Sequence, residues 1–329
     1  MPSYAIGVDL GGTNLRISAV DENGTLLEKT TLGTEVSKGR DFVIGEMTDA
    51  IRNLRDKLRS TGELRGIGIG VPGIIDMDTG MMRESPNLPG WSEFPVRAEI
   101  EKRLGTPVIL ENDANAAALG EKWLGAGRDQ ESLCMFTLGT GVGGGLVFDG
   151  KIWHGNNGMA GELGHTVVEP EGHPCGCGGR GCVEQYASAT AVVRMAHEAI
   201  ASGAAPELKR AAETHASEFN SRVVYQLALQ GDKPAQDVYR RVGRALGIVL
   251  TNMINALNLP MYVIGGGVSS AWDAFAPALF KEVQARSFIY SVTTPPATLR
   301  TAPRKTTVIT RALLGSDAGL FGAAKLPML

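Results

Sequence analysis

One structural phrase occurs twice in this chain, about 130 residues apart: an apolar strand, a glycine-rich turn, and a second apolar strand that ends in a hairpin turn. In the first copy residues 4–9 alternate toward a strand, Asp9-Leu-Gly-Gly-Thr13 makes a tight turn, and Leu15 to Val20 resumes as a strand ending at Asp21-Glu-Asn-Gly24. In the second, Leu133 to Leu138 passes through Gly139-Thr-Gly-Val-Gly-Gly-Gly145 to Leu146–Phe148, Asp149-Gly150 and Lys151–Trp153. Between the copies, Val43 to Leu58 carries apolar residues at helical spacing, Gly66 to Val71 reads as a strand, and Val108 to Leu110 is a short strand entering a helix at Asp113. Residues 189–256 read as mostly helical, and Thr310 to Lys325 as one closing helix with Asp317 inside it. Alternating strand and helix favours an α/β fold with helices over a mixed sheet, and the duplication favours two similar domains facing each other. No Pro/Ser-rich linker separates them, so the repeat sets the boundary: residues 1–113 with 310–329 returning to cover them, and residues 114–309.

Composition narrows the function. Hydrophobic residues make up 43% and charged residues 20% of the 329, which is ordinary globular usage. With 32 basic against 35 acidic residues the net charge is −3, so no cationic excess exists to neutralise nucleic acid or an anionic membrane, and a small-molecule substrate is expected. Glycine is the outlier, 43 residues, nearly twice the usual share of about 7%. The N-terminus reaches Asp9 before any signal-peptide core could form, which places the protein in the cytosol. The uncharged stretch from Ala245 to Trp272 carries Asn252, Asn255, Asn258, Pro260 and three successive glycines, and reads as buried helix plus strand rather than a membrane span.

Several motifs carry chemistry. Asp9-Leu-Gly-Gly-Thr13 sets a carboxylate at a strand end beside two glycines and a hydroxyl, so backbone N–H groups can approach a phosphate and Asp9 can hold hydrated Mg²⁺. A plain hairpin turn is the alternative, and the partial recurrence at Gly139-Thr140-Gly141 favours two turns clamping one polyphosphate. Gly139–Gly144 and Gly68–Gly73 both fit G-x-G-x-x-G, but neither is followed by a helix start, which excludes a nicotinamide site. Gly145–Lys151 falls short of a P-loop because Ile152 replaces the metal-binding hydroxyl. Val263–Ser270 runs from a strand through Gly265 and Gly266 to a helix start, where a nucleotide could lie against exposed backbone or strand and helix could simply pack closely.

Glu111-Asn-Asp113-Ala-Asn115 crowds polar side chains at a strand-to-helix junction. A cap needs one of them, Asp113 or Asn115, and the excess points to a hydroxyl-rich substrate. The positive helix terminus keeps Asp113 ionised, so it can take a hydroxyl proton as a phosphoryl group moves to that oxygen. Glu162-Leu-Gly-His165 followed by Cys175-Gly-Cys177-Gly-Gly-Arg-Gly-Cys182-Val-Glu184 supplies three thiols and one imidazole, a Cys₃His set suited to closed tetrahedral zinc, with His173 as a rival nitrogen ligand. Three cysteines within eight residues are ill suited to a disulfide framework. With no open coordination position, such a metal is structural and pins the loop that carries Glu162 and Glu184.

Together, Asp9-Leu-Gly-Gly-Thr13, Glu111-Asn-Asp113, Leu138–Gly144, Glu162-Leu-Gly-His165 and the Cys175–Glu184 cluster resemble the ROK family (repressors, open reading frames, kinases) over nearly the whole chain. Within it, Ser85-Pro-Asn-Leu-Pro-Gly-Trp91 and the uninterrupted cysteine motif are most similar to the bacterial ATP-dependent glucokinases. The resemblance implies an actin-like, hexokinase-type (ribonuclease H-like) duplicated fold, two α/β domains around a cleft, commonly assembled as a homodimer or larger oligomer. It implies ATP-dependent phosphorylation of a hexose 6-hydroxyl, glucose favoured, with Mg²⁺ and structural Zn²⁺. Carried onto matching positions, Asp113 is the base, and Asn112, Glu162, His165 and Glu184 hold other hydroxyls, with Asn87 a further sugar contact. Asp9, Gly11, Gly12, Thr13, Thr140 and Gly141 line the phosphates and Mg²⁺, Gly265 and Gly266 lie near the adenosine, and His165, Cys175, Cys177 and Cys182 bind zinc. His165 then ligates through one ring nitrogen and donates to the sugar through the other.

Two other readings share these motifs. One is a kinase for another hexose or N-acetylhexosamine, such as N-acetylmannosamine, N-acetylglucosamine or fructose. The other is a sugar-responsive regulator without kinase activity, which needs a DNA-binding domain ahead of Asp9, where eight residues stand. The stretch from Ala204 to Asn220 carries no assignable role.

Overall fold

The computed structural model describes residues 3–85, 87–214, 216–294 and 305–329. The first two residues, Pro86 of the 85–91 stretch, His215 of the 204–220 stretch, and residues 295–304 of the expected second domain lie outside them. In chain order the elements are β1 (Ser3–Leu10), β2 (Asn14–Asp21), β3 (Leu26–Gly33), α1 (Arg40–Leu58), β4 (Glu63–Val71), β5 (Ile74–Asp76), β6 (Met81–Glu84), α2 (Val96–Leu104), β7 (Ile109–Asn112) and α3 (Asp113–Trp123). They continue as β8 (Leu133–Leu138), β9 (Val142–Phe148), β10 (Lys151–Ile152), α4 (Glu184–Ala187), α5 (Ala189–Ala201), α6 (Pro206–Thr214), α7 (Ser221–Leu229) and α8 (Lys233–Leu257). The last are β11 (Met261–Gly265), α9 (Trp272–Arg286), α10 (Phe288–Thr293), β12 (Val308–Arg311) and α11 (Ala318–Lys325).

Two five-stranded sheets share one plan. The first has the order β3-β2-β1-β4-β7 and the second β10-β9-β8-β11-β12. In the first, β1–β2 and β2–β3 are antiparallel while β1–β4 and β4–β7 are parallel. In the second, β11 pairs in parallel with both β8 and β12, and β9–β10 is antiparallel. The duplicated α/β architecture expected from the sequence is therefore present. The chain divides into two compact units, one of Met1–Leu133, Gly145–Gly161 and Leu313–Leu329, the other of Cys134–Gly144 and Glu162–Ala312.

In the first unit, β1 is central and buried along almost its whole length, as a strand flanked on both sides requires. Edge strand β3 is mostly exposed. Helix α1 repeats buried residues at three- and four-residue spacing (Val43, Ile44, Met47, Ile51, Leu54, Leu58), each apolar side chain contributing roughly 1.5–3 kcal/mol on burial. In the second unit, α8 starts on an Asp232 cap that accepts the Ala235 N–H and ends on Asn258 in the left-handed conformation. Among the described residues no helix is long and apolar enough to cross a membrane.

Three local expectations are corrected. The helix expected from Thr310 to Lys325 does not form as one piece, because Thr310 pairs with Val263 in the parallel β11–β12 ladder and Gly315 turns the chain at φ +57°. The helix begins only at Ala318, with Asp317 just ahead of it. The cap of α3 is Asn112, whose side chain accepts the N–H groups of Ala114 and Asn115, not Asp113 or Asn115. Parallel pairing of Asn112 with Val71 keeps it extended, the conformation a cap needs. The polar excess at 111–115 is moreover partly internal: Asn115 Nδ2 donates to Glu111 Oε1, and both residues are buried.

Helix α11 packs on α3, β1 and β4 through glycine. A Cβ on Gly322 would sit 1.6 Å from the Ala116 carbonyl oxygen, and one on Gly68 would sit 2.0 Å from that of Ala323. Beside this contact, Glu121 of α3 is fully buried and its carboxylate accepts the backbone N–H groups of Ala126 (2.8 Å), Leu313 (3.1 Å) and Leu314 (2.7 Å). Gly322→Ala should destabilise the protein by about 3 kcal/mol or more, since backbone cannot yield to a methyl group. Gly33→Ala, on the open face of β3 with nothing within 4 Å of the added atom, should stay within ~0.5 kcal/mol. Denaturant unfolding of the two variants measures the difference.

Candidate functional site

The first unit gathers its polar groups at the β1–β2 turn and at the β7–α3 junction. Asp9 lies opposite Arg16 in the β1–β2 register, and Arg16 Nη1 donates to Asp9 Oδ2 at 3.0 Å. Burial raises the Asp9 carboxyl above its ordinary value, and Arg16 only partly opposes it. The first turn of α11 abuts the same carboxylate, with the Cβ position of Gly319 3.1 Å from Asp9 Oδ1. In the turn itself the Gly11 N–H donates to the Asn14 carbonyl at 2.8 Å, and Gly12 faces Asn87, whose carbonyl would be 3.3 Å from an added Cβ. Asn87 is exposed beside the buried anchors Leu88 and Trp91, and Thr13 is exposed at the turn's end.

At the junction Asn112 is engaged twice, capping α3 and donating from Nδ2 to the Gly73 carbonyl at 3.1 Å. Asp113 follows as the first helical residue, half-buried, with Oδ1 accepting the Ala114 N–H at 2.8 Å.

The second unit brings its own set together around Glu184. Glu184 Oε2 accepts the Val142 N–H at 3.0 Å and lies 2.4 Å from the Cβ position of Gly141, so a side chain there would push the carboxylate off this contact. Ala189 N–H and Thr190 Oγ1 donate to the carbonyls of Gly139 and Thr140, both at 2.8 Å, so the glycine turn is held against the start of α5. Glu162 precedes a 3-10 turn at Leu163–His165, and its Oε2 is 3.8 Å from His165 Nε2. Gly265 is buried against Met135 and Ala312, while Gly266 takes φ +80° over the backbone of Leu138. Close packing thus accounts for Gly265, and Gly266 leaves exposed backbone at the end of β11.

His165, Cys175, Cys177 and Cys182 offer ligand atoms that all lie within 4.8 Å of one another. A tetrahedral ion with metal–sulfur bonds of about 2.3 Å sets its sulfurs roughly 3.8 Å apart. Cys177 Sγ and Cys182 Sγ are 3.7 Å apart, and Cys175 Sγ is 3.7 Å from His165 Nδ1, so the set fits such an ion. Burial pushes the Cys182 thiol up, while the Gly179 N–H holds Cys177 down. His173 stays outside the cluster, its Nδ1 near the Pro174 carbonyl. The ring geometry turns Nδ1 of His165 toward the sulfurs and leaves Nε2 on the Glu162 side.

Sequence reasoning passed over two partners. Arg16 was accessible from the hairpin register, since a turn closing at Leu10 and Leu15 sets it opposite Asp9. His154, whose Nε2 is 2.7 Å from Glu111 Oε2, lies 43 positions away and left no local signal.

A family model described as the ROK family matches residues 5–328. A glucokinase from Halalkalibacterium halodurans is 39% identical over 325 residues, covering 98% of this chain and 94% of the relative. A glucokinase from Thermotoga maritima is also 39% identical, over 98% and 96% of the two chains. The structure of a ROK family glucokinase from Streptomyces griseus in complex with glucose and AMPPNP superposes with a TM-score of 0.76 at 32% identity, covering 98% of each chain.

Elemental analysis of the purified protein should find about one tightly held divalent ion per chain, lost in Cys175→Ser. Removing it should lower the melting temperature by ~5 °C or more, because an ion that binds only the folded state stabilises by mass action. Metal-free protein with an unchanged melting curve would remove the cluster's role.

Proposed function

The chain belongs to the ROK family, and from that membership and the groups described above we propose that it transfers the γ-phosphoryl group of ATP to the 6-hydroxyl of a hexose, with glucose, on which its named relatives act, as the acceptor. The observation that carries the chemistry is the position of Asp113. It is the first helical residue at the carboxyl end of parallel strand β7, where the positive helix terminus favours its ionised form. As the oxygen–phosphorus bond forms, the Asp113 carboxylate takes the hydroxyl proton and ADP leaves with the electrons of the broken bond. The cap made by Asn112 fixes the turn on which this carboxylate rides.

The remaining groups divide between the two substrates. Glu162, Glu184 and the Nε2 edge of His165 hold other sugar hydroxyls, with Asn87 and Asn112 as further contacts. The turns at Gly11, Gly12 and Thr13 and at Thr140 and Gly141 line the phosphates, and Gly265 and Gly266 lie toward the adenosine. Asp9, a carboxylate near the end of β1 beside the glycine turn, is the residue that would hold Mg²⁺, which supplies charge neutralisation to the transferring phosphoryl group. The ion of the His165, Cys175, Cys177 and Cys182 cluster is zinc by donor set, closed and structural.

Asp113→Asn keeps the acceptor for the Ala114 N–H but cannot take the proton. Sugar-dependent ADP release, followed in a coupled assay over a panel of hexoses and N-acetylhexosamines, should fall about 10²- to 10⁴-fold, roughly 3–5 kcal/mol, with an unchanged melting curve. A near-normal rate would overturn the base assignment, and activity confined to an N-acetylhexosamine would overturn glucose.

A further inference from the structure

Behind Asp113 stands a second carboxylate that no step of the phosphoryl transfer uses. Glu111, next to last in β7, is 2% exposed. Its Oε1 accepts the Asn112 N–H at 2.9 Å and Asn115 Nδ2 at 3.0 Å, and its Oε2 lies 2.7 Å from His154 Nε2. Both amide residues belong to the first turn of α3: Asn112 caps it and Asn115 is fully packed inside it, with Asp113 between them. Glu111 therefore grips the turn that aims the base from two sides.

A carboxylate taken out of water and held by two neutral donors is stabilised further by a countercharge. His154 is in place to give it. It follows β10, which packs on α3, and the hydrogen bond to Glu111 raises its imidazole above the ordinary value against the opposing pull of burial. Of the charged groups on the elements around the pair, Asp113 on α3 accepts the Ala114 N–H through Oδ1, and Asp76 at the end of β5, which packs on β7, is bound by Arg83.

We propose that protonated His154, acting through Glu111, is the positioning residue for Asp113, and that it gives phosphoryl transfer a proton dependence on the alkaline side. The role rests on the kinase reading above. As pH rises through the imidazole's raised pKa the countercharge is lost, the buried Glu111 charge is left to the two amides, and the first turn of α3 relaxes with the base on it.

The test uses the full chain. Ring-proton NMR should show His154 titrating above its ordinary value of about 6.5 and falling back toward it in Glu111→Gln. The pH profile of kcat/KM for sugar-dependent ADP release should have an alkaline limb at the NMR midpoint. His154→Ala should lower kcat about 10-fold or more with little change in sugar KM, and His154→Gln, which keeps a donor without the charge, should recover part of that loss while lacking the limb. Should His154→Ala fail to fold, the Gln variant alone decides. A limb that persists unmoved in His154→Gln, or an unaltered kcat in His154→Ala, overturns the proposal. A wild type that releases no ADP with any sugar overturns the kinase reading and this role with it, yet a raised His154 titration would still stand for the pair, so the two failures are told apart.

Discussion

Backbone pressed against backbone is the contact on which the first unit's chemistry depends. Where Gly322 of α11 meets the Ala116 carbonyl and the Ala323 carbonyl meets Gly68, two helices and a strand approach closer than any side chain permits. Such a contact has one seating, because a small shift turns it into either a clash or a void. Both carboxylates assigned to the reaction lie on elements that this seating fixes. Asp9 ends β1 beside the first turn of α11, and Asp113 opens α3. A catalytic group held on a packed element needs no further ordering when substrate arrives.

The unit then handles three carboxylates, two buried and one half-buried, in three ways. Glu121 is met by backbone N–H groups alone, which suits a group whose task is to fasten chain segments together. Glu111 has two amides and an imidazole, a set with one member that titrates near neutrality. Asp9 has Arg16, yet burial outweighs that partner.

Legibility in the sequence followed how local each signal was. The repeated strand–turn–strand phrase was readable because period-two apolar residues and glycines sit next to one another, and Val43–Leu58 was readable because its buried face recurs every turn. Edge strand β3 and the short β5–β6 hairpin were not, since Leu26–Gly33 is mostly exposed and has no apolar face to announce it. Residues 310–325 carry a helix-like spacing, but a four-residue parallel ladder with β11 overrode it. At 111–115 the residue types pointed to a polar strand-to-helix junction, which is where α3 begins. The division of labour among them depended on where β7 stops pairing, which is a tertiary fact, and so the cap fell to Asn112. His154 was invisible for the same reason.

In the second unit, the Glu184 carboxylate ties together two motifs that the sequence presents separately. It takes the N–H of Val142 at the end of the glycine turn, fills the space a side chain on Gly141 would need, and comes within 4.0 Å of Cys175 Sγ in the metal-binding cluster. Its own position comes from the two-residue step after Cys182, a metal-cluster cysteine buried at 1% exposure. Fixing that cysteine therefore fixes the carboxylate, and the carboxylate fixes the turn. An ion held by these four residues would in this way help to set where the glycine turn sits. Glycine at 141 fits the same geometry: the turn comes close enough to be held by an acid, and a side chain there would displace that acid.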